Sequence, residues 1–151
     1  MLVITGLQTI CFVMHKKIHL KGFSFARQSR AFMDLSAGEA DFIYGDSFTR
    51  SAGAITGIGN NVSLVFERMD FGACHRVKLI LCGRTPLVQN PITIHIRRED
   101  GEEIREVAAF HGEGTQQHFD LPVPGGLCTV TFVFLPGSQF DFECFRFEAA
   151  D

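Results

Sequence analysis

Tryptophan is absent from this 151-residue chain and tyrosine occurs once, whereas phenylalanine occurs sixteen times. Phenylalanine has no polar handle, so this aromatic inventory reads as material for a core. An excess of positive charge is missing too: 14 Lys and Arg stand against 17 Asp and Glu, a formal net charge of −3. Scattered basic residues in a slightly acidic chain leave no electrostatic footprint for nucleic acid.

The five cysteines, at 11, 74, 82, 128 and 144, include no Cys-x-x-Cys pair. An odd count at wide spacing argues against a secreted disulfide scaffold. Cys82, Cys128 and Cys144 sit in apolar runs and read as reduced core residues, since a free thiol behaves as a small hydrophobe. No apolar run reaches the roughly 20 residues of a membrane-spanning helix. Lys16 and Lys17 follow the apolar run Leu2–Met14 rather than precede it, the reverse of a secretory signal. The expected compartment is the cytoplasm, with no membrane partner. The length suits one domain and falls short of the roughly 250 residues of an (α/β)₈ barrel.

A capped amphipathic pattern of helical length is also missing. Alternating or β-branched runs bounded by turn residues take its place. They predict strands near Leu35–Asp41 and at Asn61–Glu67, Arg76–Cys82, Ile92–Arg97, Glu103–Ala109, Gln116–Leu121, Leu127–Phe134 and Phe140–Phe147. In the last of these, simple alternation puts Phe140, Phe142 and Cys144 on one face and Asp141, Glu143, Phe145 and Phe147 on the other. Asp100-Gly101 between two strands is a hairpin signal. The expected fold class is all-β, an antiparallel β-sandwich or barrel. Residues 1–30 read as an N-terminal extension. Its runs Leu2–Met14 and Lys17–Phe25 either add strands to the sandwich or form the tail of a preceding domain, and 31–151 form the main domain.

Antiparallel parity gathers the longer polar loops at one end, where binding residues usually live. That end holds Tyr44, Asp46, Asn60, Arg84, Gln89, Asn90, His111, Glu113 and Gln139, with Asp141 at its rim. Amides, carboxylates and a guanidinium suit a hydroxyl-rich ligand. Each has a plainer reading. Arg84 either clamps a hydroxyl pair or carboxylate or braces the loops through Asp46 or Asp141. Asn60 and Asn61 bond ligand hydroxyls or satisfy turn backbone, and Tyr44 stacks on a sugar ring or caps the core. Gly57-Ile58-Gly59 lacks the third glycine and following helix of a dinucleotide loop. His111 and His118 lack further metal ligands. Glu102 and Glu103 read as solvated turn charges, and Cys74-His75 as too close in sequence for a nucleophile–base pair.

Several segments carry a resemblance: Tyr44-Gly45-Asp46-Ser47-Phe48, Gly57-Ile58-Gly59-Asn60-Asn61-Val62-Ser63-Leu64-Val65-Phe66, Met69-Asp70-Phe71-Gly72, Leu81-Cys82-Gly83-Arg84 and the run Phe132–Phe142. Over about residues 22–148 the chain resembles the carbohydrate-binding-module-like sandwich of family 6/family 35 type at the C-terminus of family 2 glycoside hydrolases such as bacterial β-galactosidases. The resemblance implies a jelly-roll (galactose-binding-like) sandwich and a non-catalytic role, binding a galactose-containing carbohydrate for an attached hydrolase catalytic domain. The loop-end residues Tyr44, Asp46, Asn60, Arg84, Asn90, Gln139 and Asp141 are the candidate ligand-binding residues; of these, the resemblance itself places Asp141, where such modules carry a sugar-contacting Asn. It also implies a structural calcium ion, for which Glu39 and Asp41 replace the usual Glu-Ala-Glu pattern and Glu143 the usual Asp. The loops at 83–91 and 111–115 have no Trp or Tyr, so the aromatic platform of the module class is missing. A structural or oligomerisation module that packs on the hydrolase, or on a second copy, and binds no sugar is the alternative.

Overall fold

The computed structural model describes residue 9, residues 11–23 and residues 28–150. Two single-turn 3₁₀ helices, Arg30–Phe32 and Ala37–Glu39, accompany eleven strands. The strands are β1 (Leu35–Ser36), β2 (Phe42–Tyr44), β3 (Thr49–Arg50), β4 (Ile55–Ile58), β5 (Val62–Asp70) and β6 (Arg76–Arg84). They continue with β7 (Gln89–Arg98), β8 (Glu103–His111), β9 (Gln116–Pro122), β10 (Leu127–Phe134) and β11 (Phe140–Ala149). One sheet runs β3-β4-β11-β6-β9, with β1 also on β11; the other runs β2-β5-β10-β7-β8. Every described pairing is antiparallel. The expected antiparallel sandwich of jelly-roll type is the architecture.

The seven runs from residue 61 onward become β5 to β11, because alternating residues let a strand bury one face between two sheets. The first expected strand does not. Near Leu35–Asp41 only Leu35 and Ser36 pair, and the chain then turns through Ala37–Glu39. Glu39 Oε2 accepts a 2.7 Å hydrogen bond from the Ser36 N–H, which favours the turn over extension. The expected long loop from 42 to 60 instead contributes β2, β3 and β4. Residues 11–23, which overlap the two N-terminal strand candidates, form no strand; residues 2–8, 10, 24 and 25 of those candidates lie outside the described residues. Arg30, placed by the sequence in the extension, joins the sandwich through a 2.6 Å ion pair with Asp41.

The strict alternation expected of β11 is corrected by a bulge. Phe142 pairs with Gly83 and Cys144 with Cys82, so Glu143 is an extra residue opposite no partner. Parity flips there. Phe140, Phe142, Phe145 and Phe147 all turn inward and are at most 2% exposed. Cys144 moves to the outer face, half-buried. With Cys82 it lies outside the core; of the three cysteines expected there, only Cys128 belongs to it.

Phe145 is the hub of the inner layer. Its ring centroid lies 4.7 Å from Phe66 and 4.8 Å from Phe132, both edge-on. Such tilted pairs align a ring's positive edge with its neighbour's negative face. Phe145→Ala should therefore cost about 3–5 kcal/mol of stability, read as a lower midpoint in urea unfolding with an unchanged slope.

Candidate functional site

Strand parity gathers the turns after β4, β6, β8 and β10 at one end of the sandwich. A cleft of about 570 Å³ opens there, lined by Gly57, Ile58, Gly59, Arg84, Thr85, Pro86, Ser138, Gln139, Phe140 and Asp141. The volume lies in the range of small-molecule sites, roughly 300–1,000 Å³. Its floor is the β6–β11 ladder, in which Arg84 pairs with Asp141. Gly83, beside Arg84, has to be glycine: a Cβ there would collide with the Phe140 ring and the Asp141 carbonyl.

Three predicted residues converge on this cleft. Arg84 is exposed, its Nε 3.7 Å from Glu143 Oε1. That partner is the bulge residue, and not Asp46 or Asp141, the braces expected from the sequence. Asp141 Oδ1 accepts a 2.8 Å hydrogen bond from the Gly57 N–H. Gly57, at φ +61°, sits where β4 also carries an extra residue against β11. Asp141 thereby ties two irregular strands together. Gln139 is exposed at the cleft.

The other candidates sit elsewhere or do structural work. Asn90 is fully buried; its Oδ1 accepts from the Gln139 N–H at 2.9 Å and its Nδ2 donates to the Pro91 carbonyl at 3.2 Å. Asn60 Oδ1 accepts from the Gly137 N–H at 2.9 Å. Thr85, not singled out in the sequence, donates its hydroxyl to the Gln139 carbonyl at 2.6 Å. These three side chains pin the 135–139 loop from three directions. Tyr44 lies on β2, 60% exposed and stacked on Phe42 with ring centroids 6.5 Å apart. Asp46 follows in the turn to β3, and neither residue lines the cleft. Ser138, also missed, is buried in the cleft wall. The signal that could have found Thr85 and Ser138 is their place directly after a strand and inside a tight polar turn.

The carboxylates implied for calcium are divided among other partners. Asp41 Oδ2 takes 2.6 Å from Arg30 and 2.7 Å from the Glu67 N–H, and Oδ1 lies 3.8 Å from Arg68. Glu39 closes the Ser36 turn, and Glu143 faces Arg84. Calcium wants six to eight oxygens, several of them carboxylate. Among the described residues no three His, Cys, Asp or Glu side chains gather to hold a metal, so this donor set does not fit the ion. At Asp41, burial alone would raise the carboxyl pKa. The Arg30 and Glu67 hydrogen bonds and the charges of Arg30 and Arg68 outweigh it and hold the group below its ordinary value.

No protein-family model and no curated protein matches the chain. Solved structures do. A family 6 carbohydrate-binding module from Clostridium stercorarium, solved with cellobiose, is 22% identical with a TM-score of 0.59, covering 80% of this chain and 95% of that one. A family 35 module from Clostridium thermocellum is 17% identical with a TM-score of 0.60, covering 78% and 98%. The sandwich is that of the family 6 and family 35 carbohydrate-binding modules. The same fold occupies part of a family 43 arabinoxylan arabinofuranohydrolase from Bacillus subtilis solved with cellotetraose. That match is 18% identical with a TM-score of 0.56, covering 85% of this chain and 29% of that one.

Two outcomes follow from the site's supports. Asn90→Ala removes the fully buried side chain that accepts from the Gln139 N–H, and should cost about 1–3 kcal/mol while speeding hydrogen exchange at that amide. For Asp41, a folded-state pKa below the unfolded value gives stability that is present above about pH 4 and lost as the pH falls through the folded value. Urea midpoints measured from pH 5 down to pH 2 should decline, and decline less steeply in Asp41→Asn.

Proposed function

We propose that this chain is a non-catalytic carbohydrate-binding module, which holds a galactose-containing sugar in the loop-end cleft for a glycoside hydrolase of family 2 type. The observation that carries the reading is the convergence of Arg84, Gln139 and Asp141 on one cleft of sugar-sized volume, in a fold shared with carbohydrate-binding modules. Arg84 offers guanidinium donors, and Gln139 offers both a donor and an acceptor. Asp141 has one oxygen committed to Gly57 and a second to accept from a hydroxyl. Pro86 supplies exposed apolar wall for the ring's C–H face, with the buried Ile58 and Phe140 behind it. The sandwich within a larger hydrolase, together with the sequence resemblance, supports the accessory role.

Without a stacking aromatic, binding rests on hydrogen bonds exchanged against water, so affinity falls in the range of roughly micromolar to millimolar. A second reading, a structural or oligomerisation module, is favoured by one observation: Phe42 and Tyr44 stand exposed side by side on the edge strand β2. Concentration-dependent sedimentation as a dimer, with no response to sugar, supports that reading against the first.

Titration by NMR with galactose, lactose, cellobiose and xylose separates these cases. Galactosides should shift the amides of Arg84, Gln139 and Asp141, and Arg84→Ala should weaken binding about tenfold. A response to cellobiose or xylose alone refutes the galactose preference, and silence toward all four at tens of millimolar refutes sugar binding.

A further inference from the structure

The β6–β11 ladder places Cys82 and Cys144 directly opposite each other. Alternation puts Val77, Leu79 and Leu81 of β6 in the core and Cys82 on the outer face. The Glu143 bulge brings Cys144 to the same face. Both thiols are free and half-buried, within reach of a small reagent, and they share a side-chain hydrogen bond. Residues opposite one another in an antiparallel ladder have Cα atoms about 4.5–5.5 Å apart, inside the roughly 4.4–6.8 Å that a disulfide spans. Among the described residues, no other cysteine faces a second one across a ladder: Cys128 meets Met69 and Arg98. Cys128 is also buried, its thiol directed at the Gly125 and Gly126 carbonyls.

We propose that Cys82 and Cys144 form a modification site that closes to a reversible cross-strand disulfide when the protein meets a low-molecular-weight disulfide oxidant such as glutathione disulfide. Burial first, and then the hydrogen bond with Cys82, raise the Cys144 thiol above its ordinary value, which disfavours it as the first nucleophile, and the first attack is assigned to Cys82. The Cys82 sulfur attacks one sulfur of the oxidant, forming a protein–glutathione bond and releasing one glutathione thiol. Cys144 then attacks the Cys82 sulfur, and the second glutathione departs with the Cys144 proton. Two protein thiols are oxidised and one glutathione disulfide is reduced to two thiols. The bond lies beside the cleft, at the next outward-facing pair of the ladder after Arg84 and Asp141. It locks the bulge that orients both, whatever the cleft binds.

The full chain, reduced and then freed of reductant, is incubated with glutathione disulfide near neutral pH, quenched with acid, alkylated and mapped by mass spectrometry. The expected product is a peptide pair joined through Cys82 and Cys144, lighter by two hydrogen atoms and reopened by dithiothreitol. In Cys144→Ser, Cys82 should stop at the glutathione mixed disulfide. Stable glutathione adducts on the native protein, a bond from either residue to Cys11 or Cys74, or two unreacted thiols would each overturn the proposal. An unreacted Cys82 in the variant overturns the order of attack.

Discussion

The bulge at Glu143 lets one strand send four phenylalanines to the same side. Phe140 and Phe142 lie before it, Phe145 and Phe147 after it, and all four reach the layer between the sheets. A strand without the extra residue alternates faces strictly, which would turn Phe145 and Phe147 to solvent and empty the middle of the sandwich. Phe66 and Phe132 would then lose the ring they share. The same residue decides what stands on the outside, since Cys144 meets Cys82 there and Glu143 itself faces Arg84. Core packing and cleft geometry are two consequences of one shift in register.

The cleft depends next on polar side chains that serve backbone rather than ligand. A turn at the sandwich end has N–H and C=O groups that no ladder satisfies, and burying them unpaired costs about 1–3 kcal/mol each. Asn60, Thr85 and Asn90 meet three such groups of the 135–139 segment. That fixes the Gln139 backbone at the rim, as the Gly57 N–H fixes the Asp141 carboxylate, and pre-organisation of this kind is where a small polar site gains affinity. Asp41 does comparable work at Glu67, fastened by Arg30.

Much of this was legible in the sequence, and what was not has a common cause. Strands β5 to β11 are long enough for a period of two to emerge, and antiparallel parity then sorted their turns correctly to the two ends. The elements β1 to β4 have two to four residues each, too few for any period. The bulge has no local signature in Phe-Glu-Cys-Phe, and only the pairing of Phe142 with Gly83 and of Cys144 with Cys82 shows which residue is extra; the one hint in the sequence is that strict alternation leaves Phe145 and Phe147 on the polar face. At the site, residue type identified polar groups at the right end but could not tell those facing the cleft from those facing backbone. Asn90 and Gln139 are both amides; one is fully buried and the other exposed.

The aromatic composition finally constrains how this cleft can work. Ring stacking needs a flat face presented to solvent, and the wall residue Phe140 is only 2% exposed, packed edge-on against Phe110 at 5.0 Å. Its face belongs to the core. The one tyrosine stands on β2, away from the cleft lining. Under the proposed function, a ligand in the loop-end cleft would meet a guanidinium, an amide and a carboxylate over an apolar edge, a surface that would select by hydroxyl orientation more than by ring area. Selection of that kind is sensitive to small displacements of Arg84 and Asp141. Those two residues are partners in the ladder that the bulge interrupts, so fixing the strands beneath them bears on the geometry of the cleft more directly than any change in the distant turns.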